Sequence, residues 1–428
     1  YWFCILMLFN FKPFKSEFYK MSFAIYVLYG VAFLDLFAVG MIIPLVPSHV
    51  RQMGANHIIV GLLGSIYAGF QLGSGPLIGS LSDLKGRKSI LLLTLVLCGI
   101  SYALIGFTDS VFVILIIRAF LGLFKQTQML TKALVSDYEK DPEKQSSVYG
   151  KMTAISGAGI TTGPIVGGHI VEDLPEYGFK FIALSVGVCF LINTGVVYLL
   201  PKIVKPVKDN KKGSSINILQ SVNSSIKQSF LELYKINWRL YWDVFLFKAL
   251  IGFVMGVYYS NYALYLKTTY DLTPKYVGYV ISFQGVVGSV SSYFIGFLNH
   301  FYINDHDFSL RNFHVFLLLI VSISGLIMSN SIFIYVMWLV PLAIGNAVGR
   351  LVTLEMVLRK CDRDHVGTLI GAANSVRSLS GVISPMVAGF IGHYVGVPYV
   401  IYASLAASIV GGTLSYKVRK NLQRLKQE

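Results

Sequence analysis

Asp35, in the run Phe33-Leu34-Asp35-Leu36-Phe37, is the one acid deep inside any of six long apolar stretches in the first half of the chain. A carboxylate in hydrocarbon must be protonated or paired, because the isolated ion is very costly there. Cations suited to pairing recur in the fourth apolar stretch, where Arg118, Lys125 and Lys132 stand seven residues apart. Seven residues is close to two helical turns, so an unbroken helix would carry all three on one face, with Gln128 beside it. Such a set can bind and release a proton, hold a charged solute, or only lock two helices together. Lys132, near the end of its stretch, could instead reach up to the membrane surface. Gln71, Lys248, Asn261, Gln284, Asn374 and Arg377 are further polar groups at depth. Each reads as a ligand contact or as a hydrogen bond between helices. Tyr258, Tyr259 and Tyr262 could floor a cavity or belong to an interfacial belt.

The elements that must hold these groups are membrane helices. Of the 428 residues 54% are hydrophobic and 13% charged, and apolar runs of bilayer length recur throughout. The chain is therefore expected to be all-α and to cross a lipid bilayer twelve times. The spans fall near 22–46, 58–81, 89–107, 111–132, 148–170, 179–200, 240–266, 276–298, 313–328, 331–352, 366–391 and 398–416. A net charge of +15 could suggest nucleic acid, but the cations gather in alternate loops and form no aromatic-laced groove, so no nucleic-acid partner is expected. With the N-terminus inside, cytoplasmic segments hold 26 Lys or Arg and the opposite face four, which fixes orientation by the positive-inside rule. The four cysteines show neither metal-ligand spacing nor a disulfide framework, and nucleotide-binding and Walker patterns are absent. No enzyme activity, metal or cofactor is expected.

Residues 1–20 read as a tail, with Met21 the preferred start and a short interfacial segment the alternative. Two six-span bundles, 21–200 and 240–416, flank a basic linker, 201–239, and a tail, 417–428, follows. An amphipathic piece near 216–234 could lie on the membrane. The halves repeat: Gly150, Pro164 and Gly168 recur 221 residues on as Gly371, Pro385 and Gly389.

Between the second and third spans runs Gly79-Ser-Leu-Ser-Asp83-Leu-Lys-Gly86-Arg87-Lys88-Ser-Ile-Leu91. Gly86 suits a tight turn and the cations mark a cytoplasmic loop. An ordinary loop that only sets orientation would look similar. The stretch resembles the signature loop of the major facilitator superfamily, Gly-x-Leu-Ala-Asp-Arg-x-Gly-Arg-Lys-x-x-Leu, although Leu84 replaces its first Arg. Gly159-Ile-Thr-Thr-Gly163-Pro164-Ile-Val-Gly167-Gly168 in the fifth span matches that family's antiporter motif at every fixed position. Its glycines could equally serve helix packing alone. Arg118 and Gly122 match the fourth-span pattern in part.

The resemblance, to the drug:proton antiporter branch, implies a secondary transporter that moves a small organic solute by alternating access, with proton exchange. It implies that spans one, four, seven and ten line a cavity, putting Asp35 opposite Arg118 or Lys125. It also implies a cytoplasmic gate of Gly79, Asp83, Gly86, Arg87 and Lys88, with Asp83 docking at the start of span eleven near Val366–Gly367. Asp35 is the first proton-site candidate and Glu355 the second. An uncoupled facilitator and a transport-dead receptor or scaffold are the alternatives, and a monomer is expected. The buried cations outnumber Asp35 and favour an anionic solute, whereas the branch more often takes lipophilic cations; the sequence leaves that open. The membrane occupied, plasma or organellar, is also left open.

Overall fold

The computed structural model describes residues 17–201, 238–294, 299–302, 305, 307–360 and 366–425. Residues 1–16 and most of the linker, including its amphipathic piece, lie outside them. Helices occupy nearly all that is described. The first span is α1 (Glu17–Ile42) followed by the short α2 (Val46–Gln52). The break falls where Pro44 and Pro47 withhold backbone donors, Pro47 sitting at the start of α2. Then come α3 (His57–Lys85), α4 (Arg87–Ile105), α5 (Val111–Phe124), α6 (Thr127–Tyr138), α7 (Pro142–Asp173) and α8 (Gly178–Tyr198). The second half holds α9 (Trp238–Tyr270), α10 (Pro274–Tyr293), α11 (Ser309–Met328), α12 (Ile332–Lys360), α13 (Val366–Tyr394) and α14 (Val400–Leu425). α1 starts inside the segment expected to be tail, because helical pairing continues past the apolar run.

Among the described residues nine helical segments are long and apolar enough to cross a membrane, α5 and α6 counting as one. The other three expected spans are α7, α10 and α13, of 32, 20 and 29 residues. Gly, Ser and Thr dilute their hydropathy, and the packing gives the reason. In each half the pattern is the same: α1 against α7 and α8, α3 against α5, and α4 against α8; then α9 against α13 and α14, α10 against α12, and α11 against α14. Among the described residues two large apolar cores result, one drawn from 24–200 and one from 244–401, with a small third cluster of Val257, Ala388 and Val400. The halves meet through α3 on α13 and α7 on α10. Helices that touch backbone to backbone need small side chains rather than lipid-facing ones.

Those two seams close at one end only. A Cβ on Gly61 would overlap the Pro385 carbonyl, and one on Gly278 the Pro164 carbonyl. Gly168 and Gly389 stand likewise against the carbonyls of Pro274 and His57. Ser65 Oγ donates to Val382 O at 2.6 Å, Tyr279 Oη meets His169 Nε2 at 3.0 Å, and Glu172 accepts from Thr273 Oγ1 and from the Lys275 amide at 3.1 Å. Towards the end that carries Lys85, Arg87 and Lys88 the helices part. Cβ positions at Gly69 and Gly381 are 4.0 and 3.9 Å from the other half, and those of Gly73, Gly150, Gly288 and Gly371 have nothing within 4 Å.

A valine at Gly278 should therefore hold the seam ajar. With Ser260→Cys on the cavity wall as reporter, Gly278→Val should raise labelling by a membrane-impermeant thiol reagent from the Glu172 face. Unchanged labelling would mean that closure there does not depend on backbone approach.

Candidate functional site

Between the halves, beneath the closed end, lies a cavity of about 400 Å³. Its wall is mostly apolar, with Arg118, Tyr259, Tyr262 and Gln284 among the polar exceptions. Asp35 and Lys125 are not on that wall. They form an ion pair inside the first bundle, Lys125 Nζ lying 2.6 and 2.7 Å from the two carboxylate oxygens, with side chains 5% and 0% exposed. Lys125 also lies over the Phe190 ring of α8 at 5.4 Å. Two candidates expected to line the cavity are thus sealed behind it.

The pair forms because the fourth span is broken. α5 stops at Phe124, Lys125 takes φ −76° and ψ 62°, and Gln126 N donates to Phe124 O at 2.7 Å, an inverse γ-turn centred on Lys125. The seven-residue arithmetic that put Arg118, Lys125 and Lys132 on one face fails at this turn. Arg118 borders the cavity, Lys125 turns to Asp35, and Lys132 is exposed on α6. Backbone groups released by the break find partners on α3. Gln71 Nε2 donates to Lys125 O at 3.0 Å and Ser74 Oγ to Gly122 O at 3.1 Å. Gln126 Nε2 donates back to Gln71 O and Ser74 Oγ, both at 2.9 Å. Gly122 permits this approach, since a Cβ there would lie 2.5 Å from Tyr67 O.

Gln71 is therefore a strut of the break, not a cavity residue. Its amide also donates to Tyr67 Oη at 3.1 Å, and the Arg118 guanidinium lies 5.9 Å from the Tyr67 ring. Tyr67 thus links the cavity to the break. Asn261 is likewise turned away, donating to Val397 O at 3.0 Å inside the second bundle. Gln284 does reach the cavity, and its Nε2 has no partner among the described residues. Lys248 and Arg377 flank the parted side of the second bundle, with the Arg377 stem beside Gly252. Glu355 is drawn off to Arg311 Nη1 at 3.8 Å, bordering a different pocket.

The signature loop holds its own bundle together. Gly86, at φ +93°, is the single residue between α3 and α4. Arg87 bonds Asp83 at 3.1 Å and, on α6, Ala133 O at 2.6 Å and Asp137 at 3.1 Å. Lys88 caps the end of α8 through Tyr198 O at 2.9 Å and Leu200 O. Asp83 is paired with Arg87 and exposed rather than docked across the halves; side chains at 366–367 lie outside the described residues. Gly79 is in no tight contact, its Cβ position being 3.9 Å from Met129. The antiporter motif splits into two faces. Gly159, Gly163 and Gly167 bear on the backbone of α1 at Phe33, Phe37 and Met41, whereas Pro164 and Gly168 bear on α10.

Two helical bundles around a cavity open towards one face, built of helices of bilayer length, define a multi-pass membrane protein. The chain belongs to the Major Facilitator Superfamily, whose family model matches residues 28–304 and again 249–427. It is similar to the quinolone resistance protein NorA of Staphylococcus aureus (strain MRSA252), 24% identical over 412 residues that cover 94% of this chain and 98% of NorA. It also resembles the class E tetracycline resistance protein of Escherichia coli, 28% identical over 201 residues, 46% of this chain and 48% of that protein. The likeness is to the drug:proton antiporter-like branch. Among solved structures, a bacterial homologue of the human lysosomal transporter Spinster, inward-facing and unoccupied, superposes with a TM-score of 0.77 at 14% identity, covering 97% of this chain and 99% of that one.

Removing one member of the sealed pair should be far worse than removing both. Lys125→Met leaves a buried carboxylate unpaired and should cost about 3–5 kcal/mol. The double variant Asp35→Leu/Lys125→Met should recover most of that. Unfolding midpoints of the two variants in detergent measure the difference, and equal losses would show that the pair contributes no coupling.

Proposed function

We propose that this secondary transporter exchanges a small organic solute for protons by alternating access, with the Asp35–Lys125 pair as the coupling element. The two bundles, 21–200 and 240–416, would rock about the cavity, the present form being open towards the basic, cytoplasmic face. One observation carries the reading. The pair sits at an interrupted span whose released backbone groups lead through Gln71 and Tyr67 to Arg118 on the cavity wall. A solute bound at Arg118 bears on the same struts that hold Lys125 against Asp35. When a conformational change draws the two apart, a proton is the cheapest neutraliser of the carboxylate, which links protonation to the two access states. The complete burial of the pair also supports a second reading, an uncoupled facilitator in which it only locks helices.

Liposome assays separate these readings. Quinolones and tetracyclines, for which two of the relatives are named, are the first probes, followed by a broad panel of organic solutes. Wild-type protein should accumulate a solute when driven by a pH gradient alone. Asp35→Asn, and the neutral pair Asp35→Asn/Lys125→Gln, should lose that accumulation at least tenfold while retaining solute-for-solute exchange. Undiminished pH-driven accumulation in a folded Asp35→Asn variant would make the pair structural.

A further inference from the structure

The polar groups around the cavity have a common sign. Arg118 Nε, Gln284 Nε2 and Tyr262 Oη are buried without a hydrogen-bond partner, and the three residues border the cavity from α5, α10 and α9. A guanidinium and an amide nitrogen can only donate, and a hydroxyl can do so. Among the described residues bordering the cavity there is no Asp or Glu. Asp35, the acid that could have balanced Arg118, is consumed by Lys125. The charge of Arg118 is therefore uncompensated, at a place where an unpaired ion is costly.

The approach to the cavity carries the same sign. Lys248 on α9, Arg350 on α12 and Arg377 on α13 lie about ten residues, roughly 15 Å, in from the basic end at 1.5 Å per residue. The Cγ of Arg377 comes within 3.9 Å of a Cβ built on Gly252, one turn beyond Lys248. Lys248 is within electrostatic reach of Arg377, Arg377 of Arg350, and Arg350 of Tyr259 on the cavity wall. None of the three side chains has an acidic partner among the described residues, and Arg350 and Arg377 are exposed. Exposed cations at mid-span belong on a water-filled vestibule, not against lipid. Glu355, the acid five residues beyond Arg350 on α12, is taken up by Arg311.

We infer that the solute is an organic anion, a carboxylate, sulfonate or phosphate head on an apolar body, with its head held by Arg118 and Gln284 and its path marked by Lys248, Arg350 and Arg377. This rests on the transport reading above. The Arg118 fork matches an oxyanion in two bonds, and a bound anion removes an unbalanced buried charge. A cation would face the uncompensated charge of Arg118 and find no carboxylate among the described residues bordering the cavity. A cavity of about 400 Å³ with apolar walls takes a ring-sized body.

Binding can be read without transport. The purified protein in phosphatidylcholine nanodiscs is titrated with naphthalene-2-carboxylate, naphthalene-2-sulfonate, naphthalene-2-carboxamide and (2-naphthylmethyl)trimethylammonium. The two anions should bind at least tenfold tighter than the amide or the ammonium ion. Arg118→Gln should erase that preference and Arg118→Lys should keep part of it, which covers the case in which the glutamine variant does not fold. Arg377→Gln should leave equilibrium binding within twofold but slow association and flatten its dependence on ionic strength. Equal binding of carboxylate and ammonium, or an anion preference that survives Arg118→Gln, overturns the inference. Arg118-dependent anion binding with no uptake into liposomes would instead sink the transport reading and leave the anion site standing. Uptake of the ammonium solute without anion binding would do the reverse.

Discussion

The contact between Lys125 and Asp35 sets the terms for the first bundle. Two ions withdrawn from water must meet with near-ideal geometry, or their mutual attraction falls short of what desolvation costs. A regular helix through Lys125 would aim its side chain along the face of Arg118, so the chain gives up regularity instead. That in turn releases carbonyls in a medium with no water to receive them. Gln71, Ser74 and Gln126 answer that need, and they can do so only because Gly122 lets α3 come close. One ion pair thus accounts for a break, three polar side chains and a glycine.

Much of this architecture was legible in the sequence, and the exceptions have identifiable causes. Apolar runs and loop charges gave the order of the helices. Gly86 was readable as a turn residue because a positive φ favours glycine, and Asp35 as a group needing a cation because hydrocarbon allows little else. The choice of Lys125 over Arg118 was not readable, since an inverse γ-turn at Lys125–Gln126 carries neither proline nor glycine to announce it. Gln71 and Asn261 look like ligands from their types alone. Only the partners, Lys125 O and Val397 O, reveal struts. Three of the four seam helices, α7, α10 and α13, show the converse, falling short in hydropathy because their neighbours are other helices.

The internal repeat also acquires a physical meaning. Pro164 and Gly168 recur as Pro385 and Gly389, and both pairs bear on the opposite half, at Gly278 and Pro274 and at Gly61 and His57. Of the positions that do not recur, Gly167 has Ala388 as its counterpart, and Gly159 and Gly163 have Ser380 and Ser384. There the glycines have moved to the partner helix, where Gly252 and Gly256 face those serines. Each crossing needs one bare backbone, and either helix can supply it.

The closed seam has a consequence for opening. Much of its contact is between a glycine on one helix and a main-chain carbonyl on the other, an approach of the Cα–H···O kind, weak bond by bond. Beside these approaches, the side-chain bonds across it are those of Ser65, Ser282, Glu172 and the Tyr279–His169 pair among the described residues. Such a joint behaves like two polished faces rather than meshed gears. On that geometry, parting the seam would bare a shallow groove to water or lipid and would not pull interlocked side chains past one another.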